Sequence, residues 1–113
     1  MSKITTHVLD VSLGRPAANV AVLLEMQSEA GAWAEAGRGS TDSDGRCIDL
    51  ATGKDLPAGN YRLTFDTGAY FSPRNVASLY PHVSIVFAVK DAQEHFHIPL
   101  LLSPFGYSTY RGS

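Results

Sequence analysis

The chain has 113 residues, 44% of them hydrophobic, and a formal net charge of -2 at pH 7. This length predicts one compact domain spanning residues 1–113, because it is too short for two separate cores. Its nine lysines and arginines are scattered singly, which predicts neither a nucleic-acid partner nor an anionic membrane surface. No apolar run approaches the roughly 18 residues of a membrane span, and the start lacks an apolar leader. A soluble, cytoplasmic protein is therefore expected.

Apolar and polar residues alternate with a period of two along most of the chain, which predicts a mainly β fold. The first strand runs from Ile4 to Val11 and places Thr5, His7 and Leu9 on one face. Gly14-Arg15-Pro16 then ends this strand, because glycine and proline interrupt regular structure. His7 is therefore expected on the same side as Leu9.

Turn-forming residues separate the next predicted elements. Tyr61 to Thr67 alternates as a half-buried strand, whereas Gly68 to Leu79 lacks alternation and has room for a short helix. The elements before these are a hairpin, Val20 to Glu29 and Trp33 to Gly39 around Ala30-Gly31, and then the turn Thr41 to Gly45 with a short strand beginning at Arg46.

Two later strands, Val83 to Val89 and His97 to Leu102, are apolar on both faces. In an antiparallel sheet, a second apolar face indicates contact with something other than water, and we expect an oligomer interface. Along the second of these strands, His95, His97 and Pro99 share a face, so two histidines are displayed together. Roughly eight short strands with turns between them predict a sandwich of two sheets.

Histidine and arginine side chains carry the candidate chemistry. A neutral histidine can activate a water molecule, while an arginine binds a planar, electron-rich substrate and stabilises a developing oxyanion. Histidine suits the first role because its ordinary pKa of about 6.5 leaves it largely unprotonated at neutral pH. The planar guanidinium suits the second role because it offers paired hydrogen bonds. His7, His97, Arg46 and the C-terminal segment Tyr110-Arg111-Gly112-Ser113 supply these parts.

A zinc site is an alternative reading of the same residues. His95 and His97, with His7 on a neighbouring strand, would supply three nitrogen ligands and leave one position open. No acidic or cysteine ligand has a spacing that completes the set, so a site without metal is favoured. Cys47, the single cysteine, has no CxxC partner and is expected to be a half-buried structural thiol.

One known family shares several segments of this chain: Ile4 to Asp10, Gly14 to Ala17, Asp44 to Arg46, His95 to Pro104, and Tyr107 to Ser113. These segments resemble the 5-hydroxyisourate hydrolases, the transthyretin-related enzymes of urate breakdown, and the resemblance spans the whole chain. The Tyr110-Arg111-Gly112-Ser113 ending distinguishes these enzymes from transthyretin, the hormone carrier of the same fold.

The resemblance implies a transthyretin-like (prealbumin-like) β-sandwich of two four-stranded sheets with one short helix, assembled as a homotetramer, a dimer of dimers. It implies hydrolysis of 5-hydroxyisourate to 2-oxo-4-hydroxy-4-carboxy-5-ureidoimidazoline without a cofactor or metal. The family's catalytic positions correspond to His7, Arg46, His97 and Ser113. Tyr110 and Arg111 join His7 and Arg46 as expected substrate-binding residues, and the terminal segment closes the site at the channel between dimers.

Three questions stay open from the sequence. Either His7 or His97 is eligible as the general base. The channel of such a tetramer would alternatively hold a hydrophobic ligand, as in the hormone carrier, although histidine, arginine and serine side chains make it polar and suited to a small oxidised purine. A zinc-dependent hydrolase built on His7, His95 and His97 would lose its activity in a chelator.

Overall fold

Nine strands and one short α-helix form the fold in the computed structural model, which describes residues 3–51 and 56–113. In chain order they are β1 (Ile4–Asp10), β2 (Arg15–Pro16), β3 (Ala21–Gln27), β4 (Trp33–Ser40), β5 (Arg46–Cys47), β6 (Gly59–Phe65), α1 (Thr67–Phe71), a single 3-10 turn (Ser72–Arg74), β7 (Val83–Val89), β8 (Phe96–Ser103) and β9 (Gly106–Thr109).

The strands form two sheets, which confirms the predicted β-sandwich. The first sheet has the order β2-β1-β8-β9 with β5 also paired to β1, and the second sheet has the order β4-β3-β6-β7. The first sheet therefore holds five strands rather than four. The two-residue strands β2 and β5 follow one another along one edge of β1, at Leu9–Asp10 and at Thr6–His7, while β8 occupies its other edge.

Strand β8 differs from the sequence expectation in its direction. It pairs antiparallel with β9, but it runs parallel to β1 over the full length of that strand, from Ile4 opposite Phe96 to Asp10 opposite Leu102. A parallel neighbour requires a long connection, and the whole second sheet lies in the chain between β1 and β8.

The core lies between the two sheets and is built by the alternation seen in the sequence. Val8 and Leu100 point inward from one sheet, and Leu24, Tyr61 and Leu63 from the other, all of them fully buried. Burying one such side chain stabilises the fold by about 1.5–3 kcal/mol. The core therefore fixes which face of β1 and β8 is left on the outside of the sandwich.

The short helix α1 confirms the helix expected after the Tyr61 strand. The Asp66 side chain caps its first turn by accepting a hydrogen bond from the Ala69 backbone N–H at 3.3 Å. Tyr70 and Phe71 are buried, and the Tyr70 hydroxyl donates to the Asp10 carboxylate at 2.8 Å. The helix is thereby attached to β1. Within the described ranges, no helix has the length and apolar character needed to cross a bilayer.

Candidate active site

The parallel pairing of β1 with β8 brings His7 and His97 together on the outer face of the first sheet. His7 lies opposite Pro99, and Thr5 lies opposite His97, so all four side chains share one face. The two imidazole ring centroids are 6.5 Å apart with an angle of 35° between the ring planes. Both histidines are half-buried, which leaves them accessible from outside the sandwich.

Arg46 joins this pair through the short strand β5. It lies directly opposite His7 in the antiparallel β1–β5 ladder, and opposite residues in such a ladder project to the same face. The preceding turn is held by Asp42, whose carboxylate accepts from the backbone N–H groups of Asp44 at 2.9 Å and of Arg46 at 3.0 Å. The Arg46 side chain is exposed and available to a ligand.

Gly45 is required at the turn that delivers Arg46. Its φ of +77° is one that side-chain-bearing residues rarely adopt, and a Cβ atom there would lie 2.5 Å from the Val8 carbonyl oxygen. This close approach of the turn to β1 allows a hydrogen bond, in which the Val8 N–H donates to the Gly45 carbonyl oxygen at 2.7 Å. The glycine thus lets the turn press against β1 beside His7.

The environment of His97 keeps its imidazole neutral. Burial lowers the pKa of His97 below its ordinary value, and electrostatic interactions with His7, His95 and Arg46 lower that pKa further. Its Nδ1 atom lies 2.8 Å from the Thr5 hydroxyl, whose oxygen also lies 3.1 Å from His95 Nε2. His97 Nε2 is therefore the nitrogen left for a substrate or a water molecule.

The C-terminal segment is attached to this face through Gly112. Its N–H donates to the His97 carbonyl oxygen at 2.7 Å, and the two residues form an antiparallel bridge. Ser113 follows directly and is exposed, as is Tyr110. This bridge holds the C-terminal segment beside His97.

Arg111 takes a different direction from the one expected for a substrate-binding residue. Its guanidinium carbon lies 4.4 Å from the centre of the Phe96 ring, and its Nη2 atom is 3.3 Å from the Glu94 carboxylate. The structure thus brings His7, Arg46 and His97 together with Gly112 and Ser113, while the Arg111 side chain is engaged beside Phe96 and Glu94.

Sequence reasoning missed Thr5 and Gly112 as members of the site. Thr5 is on the same face of the predicted first strand as His7, and this alternation was the available signal. Gly112 packs so closely that an added Cβ atom would lie 2.6 Å from His97 Cδ2 and 3.1 Å from Pro99 Cγ. Only the pairing of distant segments reveals this contact.

The histidine face is open in a single protomer. Two cavities, of about 610 and 780 Å³, lie away from this face. They are lined by residues of the other sheet and its loops, among them Arg38 and His82 in the first and Met26 and Asn60 in the second. On the histidine face itself, Leu9 and Leu101 are half-buried and Val11 is 53% exposed. This face has the apolar surroundings that a partner would cover.

The described histidines and the cysteine Cys47 form no metal site. In residues 3–51 and 56–113, no group of three or more His, Cys, Asp or Glu side chains is arranged to hold a metal ion. Cys47 is buried, and burial raises the pKa of its thiol to about 11, with the Asp49 charge adding to the rise. Its thiolate is therefore scarce at neutral pH, as expected for a structural thiol.

A neutral imidazole and an arginine on one accessible face can activate water and stabilise an oxyanion.

Comparison with known proteins shows which family the chain belongs to. The model of the HIUase/Transthyretin family matches residues 4–112. The chain belongs to this family. It is 42% identical to the 5-hydroxyisourate hydrolase of Mus musculus over 99% of this chain and 96% of that protein. The enzyme of the same name from Caulobacter vibrioides is 45% identical, with both chains covered completely.

Solved structures of the family show the same fold. The structure of Klebsiella pneumoniae 5-hydroxyisourate hydrolase is 39% identical, with a TM-score of 0.85 over the full length of both chains. Sea bream transthyretin in complex with thyroxine is 32% identical, with a TM-score of 0.92 over 98% of this chain and 95% of that one. The transthyretin-like fold is therefore confirmed.

The comparisons also confirm that the protein is a hydrolase, because the relatives from Mus musculus, Caulobacter vibrioides and Klebsiella pneumoniae are all named 5-hydroxyisourate hydrolase. Backbone similarity alone does not separate the enzyme from the carrier, since the TM-score with sea bream transthyretin is the higher of the two. Sequence identity gives the opposite order, and it is the more relevant measure because the function depends on site residues rather than on the fold.

Proposed function

We propose that the protein hydrolyses 5-hydroxyisourate to 2-oxo-4-hydroxy-4-carboxy-5-ureidoimidazoline in urate breakdown, within a single domain spanning residues 1–113. The observation that carries the proposal is the grouping of His7, Arg46 and His97 on one face of a fold whose relatives are named 5-hydroxyisourate hydrolases. A relative from Arabidopsis thaliana, 50% identical over 97% of this chain and 37% of that protein, is named as a uric acid degradation bifunctional protein, which agrees with this role.

His97 is the residue best suited to begin the reaction. Its Nδ1 is engaged by Thr5, so Nε2 takes a proton from the attacking water. The resulting hydroxide adds to a carbonyl carbon of the six-membered ring, and the carbonyl oxygen becomes an oxyanion. When this tetrahedral intermediate collapses, the ring C–N bond breaks and the proton held by His97 passes to the departing nitrogen. A carboxylate and a ureido group result, with no cofactor consumed.

The other residues hold the substrate and stabilise the intermediate. Arg46 offers paired N–H donors to the oxygens of the flat substrate and offsets the oxyanion charge. His7, 6.5 Å from His97 between ring centroids, contacts the substrate and assists the proton transfer. Ser113 supplies a hydroxyl for the water or the substrate, and Tyr110 and Arg111 close the site once a second protomer is present.

A homotetramer, arranged as a dimer of dimers, is the assembly that this site requires. Strand β7 lies at one end of its sheet and β9 at one end of the other, and their outer edges are unpaired among the described strands. Such edges are ready to pair with another chain. Exposed apolar side chains accompany them, with Val86 at 58% and Tyr107 at 43% exposure. A second dimer covering the histidine face would enclose the site and exclude bulk water.

The tetramer is tested by sedimentation equilibrium. A mass about four times the 12.1 kDa of one chain supports the assembly. A monomer that retains full activity would show instead that the histidine face works without a covering partner.

Hydrolysis is tested by generating 5-hydroxyisourate from urate with urate oxidase and identifying the product by carbon-13 NMR, in buffer containing EDTA. Accelerated formation of the ring-opened product is expected. Activity that disappears in EDTA and returns with zinc would favour the zinc alternative. A folded tetramer that leaves the substrate unchanged and binds an aromatic ligand tightly would favour the carrier function. The cytoplasmic location remains a prediction, to be checked by fractionation.

A further inference from the structure

One buried hydroxyl links two histidines on the site face. Thr5 Oγ1 lies 2.8 Å from His97 Nδ1 and 3.1 Å from His95 Nε2. Thr5 is 3% exposed and lies directly opposite His97 in the β1–β8 ladder, so its position is fixed by the sheet. His95 is exposed and comes directly before β8, the strand that holds His97. The three side chains form a connected series from solvent to the reactive imidazole.

The chemistry of a hydroxyl makes the protonation of the two histidines interdependent. A hydroxyl has one hydrogen and can donate to only one of the two nitrogens. If Thr5 donates to His95 Nε2, it accepts from His97 Nδ1–H, and His97 Nε2 carries a lone pair. If Thr5 instead donates to His97 Nδ1, then His97 Nε2 carries the hydrogen and cannot act as a base.

We propose that Thr5 is the positioning residue that selects the Nδ1–H tautomer of His97, and that His95 secures this choice by accepting the Thr5 hydroxyl hydrogen. The proposal rests on the proposed function, since it supplies the bare Nε2 atom that activates water. It also supports the step that follows. Once His97 becomes an imidazolium, its Nδ1–H already donates to Thr5, so no hydrogen bond has to rearrange.

The neighbouring charges do not provide this selection. The groups around His97 are His7 on β1, Arg46 on β5 and His95 directly before β8, and all three lower its pKa. A lower pKa disfavours the form protonated on both nitrogens, so it does not choose between the two neutral tautomers. Arg111, next to the residue that bridges His97, is engaged by Glu94. Among the described residues, Thr5 is the one whose side chain lies within hydrogen-bond distance of a His97 ring nitrogen.

The test compares Thr5→Val with Thr5→Ser. Valine keeps the buried shape but lacks the hydroxyl, whereas serine retains it. Partners that orient metal-ligating histidines are worth about 10- to 100-fold in activity, and the same range is taken for the partner that orients His97. We expect Thr5→Val to lower kcat within this range with KM nearly unchanged. The acid limb of its pH profile moves to lower pH, because the imidazolium loses an acceptor. Thr5→Ser is expected to recover most of kcat and the original limb.

Thr6→Val is the matched control. Thr6 is the adjacent residue of β1, and its hydroxyl donates to the Ile98 carbonyl oxygen at 2.6 Å on the core side of the sheet. The same substitution there removes a buried hydrogen bond and lowers stability, but it leaves the His97 tautomer and the pH profile unchanged. Equal effects of Thr5→Val and Thr6→Val on the pH profile would overturn the proposal.

Nitrogen-15 NMR of the histidine rings reads the tautomer directly and does not depend on activity. The wild-type protein is expected to show His97 protonated at Nδ1. His95→Ala, at an exposed position that tolerates truncation, frees the Thr5 hydroxyl and shifts His97 toward the Nε2–H form. An unchanged tautomer in both Thr5→Val and His95→Ala overturns the proposal. A shifted tautomer in a protein that does not hydrolyse 5-hydroxyisourate would leave the proposal standing and reject the proposed function.

Discussion

Gly112 lies against His97 with no room for a side chain. Its N–H donates to the His97 carbonyl oxygen at 2.7 Å, and an added Cβ atom would lie 2.6 Å from His97 Cδ2. The contact means that the C-terminal segment and the imidazole set each other's positions, although 14 residues separate them in the chain. The glycine is therefore part of the site through its shape.

Gly112→Ala is expected to lower kcat/KM by about 10- to 100-fold, because the methyl group displaces either the imidazole or the terminal segment. Steady-state kinetics measure the loss. Gly106→Ala is the matched control in the preceding strand, since its Cβ atom would meet only Ser103 Oγ at 3.7 Å. Similar activities of the two alanine variants would show that the Gly112 contact has no catalytic consequence.

The lowered pKa of His97 predicts the acid limb of activity. Burial and the electrostatic interactions with His7, His95 and Arg46 all disfavour its protonated form. The neutral form is the base, so kcat/KM should be constant at neutral pH and fall as pH drops through a pKa below about 6.5. A pH profile of kcat/KM checks this. A fall that begins well above pH 7 would contradict the assignment.

Two substitutions of Arg46 separate its charge from its shape. Arg46→Lys keeps the charge but loses the paired donors, so kcat/KM should fall by about 10- to 100-fold while the acid limb stays in place. Arg46→Gln loses both, and the limb should also move to higher pH because one charge that lowers the His97 pKa is gone. The pH profile of kcat/KM, measured for both variants, gives the loss of activity and the position of the acid limb. An unchanged rate in Arg46→Lys would make this arginine dispensable for recognition.

The hydrogen bond from Tyr70 to Asp10 predicts an effect on stability. Burial acts to raise the pKa of Asp10, but hydrogen bonds from Ser12, Tyr70 and Leu13 outweigh it and hold that pKa below its ordinary value. Tyr70→Phe should lower the free energy of unfolding by about 1.5–3 kcal/mol, as for a bond to a charged group. Urea unfolding at fixed protein concentration measures the change.

The same bond has a defined pH dependence. Because the folded pKa of Asp10 is depressed, its contribution is complete above the unfolded value of about 3.9 and is lost as pH falls through the folded value. The difference between wild type and Tyr70→Phe should therefore shrink in acid. Tyr80→Phe is the control, since among the described residues the Tyr80 hydroxyl makes no hydrogen bond and its ring packs edge-on against Tyr107. An equal loss in both variants would remove the special role of the Asp10 contact.

Local sequence patterns predicted much of this fold. The period-two alternation located β1, the β3–β4 hairpin and β6, and its interruption located α1. The local patterns missed β9, whose residues Tyr107 to Thr109 are exposed and become a strand only by pairing with β8. The parallel pairing of β1 with β8 was also missed, because alternation fixes which face a side chain occupies and leaves the direction of the neighbouring strand undetermined.

The same division applies to the site. Shared faces and the family resemblance pointed to His7, Arg46 and His97, and the strand registers bring these residues to one face. The direction of Arg111 was not predictable, because it depends on Glu94 and Phe96, which the fold places beside the terminal segment. Thr5 was overlooked because a threonine in a strand is ordinary until its hydroxyl is seen between two histidines.

The most direct test of the account follows the ultraviolet decay of freshly generated 5-hydroxyisourate with wild type and with His97→Asn, side by side in EDTA. Asparagine preserves a polar side chain but cannot take up a proton. The account predicts rapid decay with wild type and a kcat about 10²–10⁴-fold lower with a folded His97→Asn protein. Equal rates for the two proteins would contradict the assignment of His97 as the group that activates water.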